Sequence, residues 1–418
     1  MSAAQTAPEP EREILLNGLR ILYRNQPGNP NVVVRMRIHS GAAFDLANKG
    51  GMMALLGDAL FPDESTRDYV KEELGGRLDV TTTYDAIDVT ISGKAANLER
   101  MIDLLRGAVL TTQLDADTVR RLREARIARL SIPGSAGNRA DEAIASRLFG
   151  SFPYGHPPEG TAATVAKVER ADLMFARERF LNADNATIAV IGGVDKPRVI
   201  RTLRQLLGPW GKSNATVPAT FRQPPRPDAR VLLLDTPSST RAEIRLAVRG
   251  LKRSDPDAVA ADMLALILRE RWRNAVPELS GDIEHRAYLL PGIFTFNGSI
   301  PTALVAKAVA AARQIINSAA QGGASEGELN NARRDLLLQL MKTDLDNIAR
   351  MWLDNDAYDL SVNNVSSVRS ADIQRVAARL FKDQPVAVVV VGNAEQLKPQ
   401  FPGNFEMYTN TVSPLAKP

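Results

Sequence analysis

The stretch Lys49-Gly50-Gly51-Met52-Met53-Ala54-Leu55-Leu56-Gly57-Asp58-Ala59-Leu60-Phe61 decides how this chain is read. Two glycines open it, and an apolar run with one charged residue, Asp58, follows. The run does not alternate, which predicts a buried helix rather than a half-buried strand. Ala54, Gly57 and Asp58 give that helix a face of small side chains. Just upstream, Asn31 to His39 sets Val32, Val34, Met36 and Ile38 against Val33, Arg35 and Arg37. That is the period of a strand with one polar face, and Ser40-Gly41 ends it.

Other elements follow outward from this core. Ile14 to Tyr23 reads as a hairpin turning at Asn17-Gly18. Thr66 to Leu74 reads as a helix closed by Gly75-Gly76. Arg77 to Tyr84 and Ala86 to Gly93 are β-rich runs. Helices are predicted over Leu98 to Leu110, Asp115 to about Ile132 and Ala140 to Phe149. Pro133-Gly134 breaks the second of these. Phe152 to Thr161 is a loop, Val168 to Phe180 a helix and Ala186 to Ile191 a strand. Residues 1–12 read as a disordered tail. Residues 13–210 form a first domain, the Pro- and Gly-rich stretch 211–228 a linker, and 229–418 a second domain.

The second half repeats the order of the first. Arg230 to Asp235, Arg241 to Val248 and Gly292 to Ser299 read as strands. Helices are expected from Asp255-Pro256 to about Asn274, from Thr302 to Gln321, and from Ser325 to roughly Asp346. The run Val168-Glu169-Arg170-Ala171-Asp172-Leu173 returns as Val368-Arg369-Ser370-Ala371-Asp372-Ile373. Ala189-Val190-Ile191-Gly192 returns as Val389-Val390-Val391-Gly392 at the same spacing. Two copies of one α/β unit account for the length, and the hairpins argue for antiparallel pairing.

Composition narrows the function. The chain has 52 Lys and Arg against 48 acids, a net charge of +4 spread over 418 residues. That balance does not argue for nucleic acid. No run approaches the roughly 20 apolar residues of a membrane helix. The absence of cysteine excludes disulfides, thiolate metal sites and cysteine nucleophiles, and fits an oxidising compartment. The small, Pro-containing start resembles an exported mature chain, so a periplasmic or secreted location is expected, with the cytoplasm as the alternative.

The opening stretch resembles the zinc helix of the insulinase/pitrilysin metallopeptidases, whose inverted motif is H-x-x-E-H. On that frame Ala54 and Asp58 stand at the two histidine positions and Gly57 at the general-base glutamate. The resemblance extends to Asn17-Gly18-Leu19-Arg20, Ser40-Gly41-Ala42, Leu74-Gly75-Gly76, Tyr154-Gly155-His156-Pro157 and Gly160-Thr161. It implies an α+β fold of two homologous domains, each a mainly antiparallel β-sheet with helices packed on one face. It also implies that catalysis needs a metal held by two histidines and a distal glutamate. This chain has three histidines, His39, His156 and His285, none four residues from another. On the helix where the distal glutamate belongs, Glu124 stands among arginines. No metal ligand and no catalytic residue is therefore assigned.

In heterodimeric members of that family one subunit carries zinc, and the other supplies an Arg and a Tyr that hold substrate. The matching run here is Leu268-Arg269-Glu270-Arg271-Trp272-Arg273-Asn274-Ala275-Val276. Arg269 fits, Val276 replaces the tyrosine, and Tyr288 is the candidate substitute. Trp272 reads as core. The resemblance thus implies a non-catalytic subunit that contacts peptide beside a zinc-bearing homologous partner, with zinc in the partner only. The alternative is a structural, core-type protein of the same fold with no proteolytic role. A homodimer of the isolated chain is also open.

Overall fold

The central strands put one apolar face against helices, and the result is two six-stranded sheets. A computed structural model describes residues 9–112, 114–213, 221–222, 224–340, 344–354 and 362–408. Two compact units emerge: Met1–Ile132, Pro157–Thr220 and Met341–Asp356 form the first, and Pro133–His156, Phe221–Leu340 and Ala357–Pro418 the second. Each half of the chain therefore contributes one segment to the other half's unit, an exchange that contiguous domains of 13–210 and 229–418 do not contain. Of the expected tail, residues 1–8 lie outside the described residues, while Glu11 and Arg12 belong to a strand. Of the expected linker, 214–220 and 223 lie outside the described residues.

In unit 1 the strands are β1 (Glu11–Ile14), β2 (Arg20–Asn25), β3 (Asn31–Ile38), β4 (Arg77–Thr82), β5 (Ile87–Lys94) and β6 (Ala186–Gly192), ordered β1-β2-β6-β3-β5-β4. Unit 2 has β7 (Val231–Asp235), β8 (Arg241–Arg249), β9 (Ser280–Arg286), β10 (Ile293–Pro301), β11 (Ala387–Gly392) and β12 (Phe405–Tyr408), ordered β12-β7-β11-β8-β10-β9. Pairing is mainly antiparallel. The parallel exceptions are β2 with β6, and β7 with both β11 and β12. The helices used below are α1 (Met52–Leu60), α2 (Ala116–Leu130), α3 (Ala136–Phe149), α4 (Arg170–Phe180), α5 (Ala258–Ala275), α6 (Leu345–Asp354) and α7 (Ser370–Phe381).

The repeat read from sequence is structural. Helices α4 and α7 begin alike: the backbone N–H of Glu169 donates to Asp172 at 2.7 Å, and that of Arg369 to Asp372 at 2.9 Å. Each then leads to a buried strand, β6 or β11, at a corresponding place in its sheet.

Most helices pack on one face of each sheet. In unit 1 that face carries Ile21, Val34, Met36, Val89, Ile91, Ile188 and Val190, buried with α1 and α4. The opposite face also carries a helix. Leu22, Val33, Ala189 and Ile191 pack there against Ile348, Ala349, Trp352 and Leu353 of α6. One long helix from Ser325 to about Asp346 is not what forms. The first helix is described over Glu326–Leu340, residues 341–343 lie outside the described residues, and Asp344 starts α6 afresh by accepting the N–H of Asn347 at 3.0 Å. Helix α3 likewise packs against β8 and β11 in unit 2.

Polar residues on this second face turn packing into a clamp. Arg37 on β3 lies opposite Asp88 on β5 and grips it with two bonds, at 2.7 and 2.8 Å. A third bond from Arg37 reaches Asp354 of α6 at 2.8 Å. Arg35 bridges Asp88 at 3.3 Å and Asp346 at 3.2 Å. In unit 2, Arg245 on β8 bonds Asp141 of α3 at 2.6 Å and the Gly137 carbonyl at 3.2 Å.

Burial pushes the Asp88 carboxyl up, but the Arg37 and Arg35 guanidiniums outweigh it and hold it below its ordinary value. Its contribution to stability is therefore present above pH ~4 and lost as pH falls below that range. Arg37→Met, which leaves buried Asp88 with only the longer Arg35 contact, should destabilise the chain by about 3 kcal/mol in urea unfolding. Adding Asp88→Asn to that variant should recover part of the loss and flatten its acid limb.

Candidate functional site

Helix α1 is held by backbone contacts that only glycine permits. Gly51 has φ +89° and sits against the Glu159 carbonyl; Gly160 has φ +76° and sits against the Gly50 carbonyl. A Cβ at either position would fall within 2.6 Å of those oxygens. Thr164 donates its hydroxyl to the Gly50 carbonyl at 2.8 Å. The Asp45 carboxylate caps the helix, accepting from the N–H of Gly51 and of Met53, both at 2.7 Å. So α1 and the 157–161 loop form one packed corner.

At its centre is an arginine that sequence reading passed over. Arg126 of α2 has a side chain only 4% exposed. Its Nε donates to Asp58 Oδ2 at 2.8 Å, and Nη2 lies 2.7 Å from the same oxygen. Nη2 also donates to the Ala54 carbonyl at 3.0 Å, and Nη1 donates to the Glu159 carboxylate. Arg129 reaches Glu159 at 3.2 Å. Two of the three positions that match the zinc motif are thus bound to one guanidinium. At the third, a Cβ on Gly57 would lie 2.9 Å from Thr82 Oγ1, so the glutamate's place is taken by β4. Glu124 is exposed and takes no part.

This donor set does not fit a divalent metal. It offers two carboxylates and a carbonyl already committed to a cation, with no imidazole. Among the described residues no group of three or more His, Asp or Glu side chains is arranged to hold an ion. The histidines serve elsewhere. His39 bonds Arg20 at 2.9 Å and Thr187 at 2.8 Å; His285 bonds Asp262 at 2.8 Å and accepts the Leu251 N–H at 3.1 Å.

A spacing signal for Arg126 does exist. Val119, Leu122 and Arg126 fall at helical intervals on the buried face of α2. Asp58 in an apolar helix also demands a buried cation.

The second pair of candidate residues does not converge. Arg269, near the end of α5, is 17% exposed and lies among three carboxylates: Glu270 at 3.3 Å, Asp335 at 3.6 Å and Asp282 at 3.7 Å. Asp282 lies within β9, an edge strand whose residues are mostly polar. Tyr288 lies six residues further along the chain, roughly 20 Å in extended form. It bridges to Lys252 and packs edge-on to Tyr154 at 4.9 Å. Tyr154 is buried, and its hydroxyl accepts the Leu290 N–H at 3.1 Å. Tyr288 is thus part of an aromatic cluster, not a companion of Arg269. Trp272 is core: it is 1% exposed and donates to the Ala308 carbonyl at 3.1 Å.

Comparison with known proteins agrees with this dismantled frame. The family model described as the Peptidase M16 inactive domain matches residues 167–336. This match fits the inactive insulinase/pitrilysin type. It resembles human mitochondrial cytochrome b-c1 complex subunit 1, at 24% identity over 275 residues, 64% of this chain and 56% of that one. The first curated relatives are matched over about half of their length. A probable mitochondrial-processing peptidase subunit beta from Schizosaccharomyces pombe is 21% identical over 94% of both chains. A Pseudomonas fluorescens structure of an M16 inactive domain shares the fold, with TM-score 0.80 and 19% identity over 92% of this chain and 98% of that one. Among the described residues no helix of this chain is long and apolar enough to cross a membrane.

Burial pushes the Asp45 carboxyl up to about 7, against the opposing pull of the Met53 and Gly51 N–H groups and of Arg126. The folded state then holds this proton more tightly than the unfolded chain. Its contribution is full below pH ~4 and lost as pH rises towards 7, on the order of a few kcal/mol. Asp45→Asn keeps one of the two acceptor oxygens and removes the titration, so the variant should be less stable than the parent at pH 5 but vary less between pH 5 and 7, measured by urea unfolding. Metal analysis of the purified chain should find no stoichiometric zinc; one zinc per chain would overturn the site assignment.

Proposed function

We propose that this chain is a non-catalytic, peptide-binding subunit that works beside a zinc-bearing homologous peptidase subunit. The observation that carries the reading is the open edge of β4. That strand ends its sheet, packs against α1, and lies where the motif glutamate would stand. Among the described residues no strand pairs with its outer side, and no side chain bonds the backbone of Leu78 to Thr82. An extended peptide can add to such an edge through main-chain hydrogen bonds. Chemistry is absent next to it, but the means of holding a peptide persist.

The corresponding edge strand of unit 2, β9, is occupied differently. Arg273 donates to the Gly281 carbonyl at 3.0 and 3.1 Å, and Asp282 accepts the Ile283 N–H at 2.9 Å. Such plugs discourage strand addition. Within unit 2 the candidate substrate contact is the side chain of Arg269. Its three carboxylate neighbours mean that substrate must compete for the guanidinium. The names of the relatives, a b-c1 complex subunit and a processing peptidase subunit, support assembly with a partner. The lack of cysteine supports an oxidising compartment such as the periplasm. Burial of Arg126 and Arg269 in ion pairs favours the second reading, a structural core-type subunit.

Two measurements separate the readings. Hydrogen exchange of the full chain with unstructured peptides should slow at Leu78 to Thr82 and not at Ser280 to Arg286. A purely structural subunit shows no change at either strand. In a pair reconstituted with a zinc-bearing homologue, Arg269→Ala should lower peptide turnover several-fold without dissociating the pair. Unchanged turnover removes Arg269 from the substrate site.

A further inference from the structure

We infer that Arg126 is a built-in replacement for the metal: a covalently attached cation on which α1, α2 and the 157–161 loop are organised. The carboxylates Asp58 and Glu159 and the Ala54 carbonyl converge on the guanidinium from different chain segments. Without a cation between them, two carboxylates and a carbonyl would face one another in a corner that is buried at Arg126 and part-exposed at Glu159. Such a set repels itself and loses the solvation that water would supply.

The fork shape matters as much as the charge. Nε and Nη2 address Asp58, Nη2 also takes Ala54, and Nη1 takes Glu159. A planar guanidinium presents donors in these directions at once; a lysine ammonium is a point charge on a flexible stem. The arrangement also explains the tolerance of Asp58 in an apolar helix. Burial pushes its carboxyl up, and Arg126 pulls against that. The cluster therefore does in this chain what a chelated ion does for other folds: it pins a helix to a loop, but chelators cannot remove it.

The test is chemical rescue read by thermal unfolding of the full chain. Arg126→Ala should lower Tm by about 5 °C or more, since it strands the part-buried Asp58 carboxylate and the Ala54 carbonyl. Arg126→Lys should fall between the two. Millimolar guanidinium should return at least half of the lost Tm to Arg126→Ala, while sodium chloride of equal ionic strength should not. Recovery by both salts alike, or an Arg126→Ala variant as stable as the parent, overturns the inference. If Arg126→Ala does not fold, Arg126→Lys under the same two salts decides in the same way. On the unmodified chain, EDTA should leave Tm unchanged, and zinc, manganese or calcium should not raise it. A saturable rise with one of these ions would mean that the corner still takes a metal, and would also overturn the inference.

Discussion

The second face of each sheet is the constraint on which the rest of this chain depends. A sheet of six strands with a polar stripe cannot leave that stripe half-wet and half-buried. Arg37 and Asp88 solve the problem at the centre of unit 1. They lie opposite each other on β3 and β5, so their bidentate contact fixes strand register. The remaining arm of Arg37, with Arg35, then fixes where α6 can lie. A slip of β3 by one residue would send both arginines into the apolar core. Unit 2 reaches the same end with different parts: Arg245 finds its carboxylate on the covering helix rather than on the neighbouring strand.

This constraint also explains the exchange of segments. Helices α3 and α6 occupy similar places in the two halves of the sequence, and each covers a sheet built mainly from the other half. Their docking is specified by charge as well as by apolar area, since Trp352 and Leu353 alone would fit many apolar grooves. Asp346 and Asp354, two turns apart on α6, make one orientation match the arginines of β3. The usual objection to buried ion pairs, that desolvation cancels the gain, bears on stability. It does not apply to selecting one docked geometry among several, because a mismatched helix leaves Arg37 and Arg35 with Asp88 alone and without their α6 carboxylates.

Much of the fold was legible because it rests on periodicity. The alternation of Val32 to Ile38, the Asn17-Gly18 turn and the repeated Ala-Asp capping segments predict elements that form. What escaped detection depends on tertiary context. β9 reads as polar because an edge strand has little apolar face to display. Helix α6 merges with its predecessor in any reading by helical period alone. At the site, Ala54, Gly57 and Asp58 announce that zinc chemistry is gone, but Arg126 stays hidden in an arginine-rich helix whose other basic residues are mostly solvated. Tyr288 was chosen for its side chain type, and only packing against Tyr154 reveals its purpose.

The site departs from the metallopeptidase motif in a connected way rather than by scattered loss. A histidine position that carries Asp58 needs a cation, and Arg126 supplies it. A cation so placed needs a second anion, and Glu159 is delivered by a loop that glycine contacts hold against α1. A glutamate position that carries Gly57 leaves room, and Thr82 of β4 fills it. Each change stabilises the next, so the corner stays rigid without a metal. Rigidity here matters for β4, because a strand edge accepts an extended chain only if its backbone is already straight and supported from behind. Helix α1 gives that support. On the proposed reading, a frame whose motif positions are tied to Arg126 still has a supported strand edge to offer a peptide.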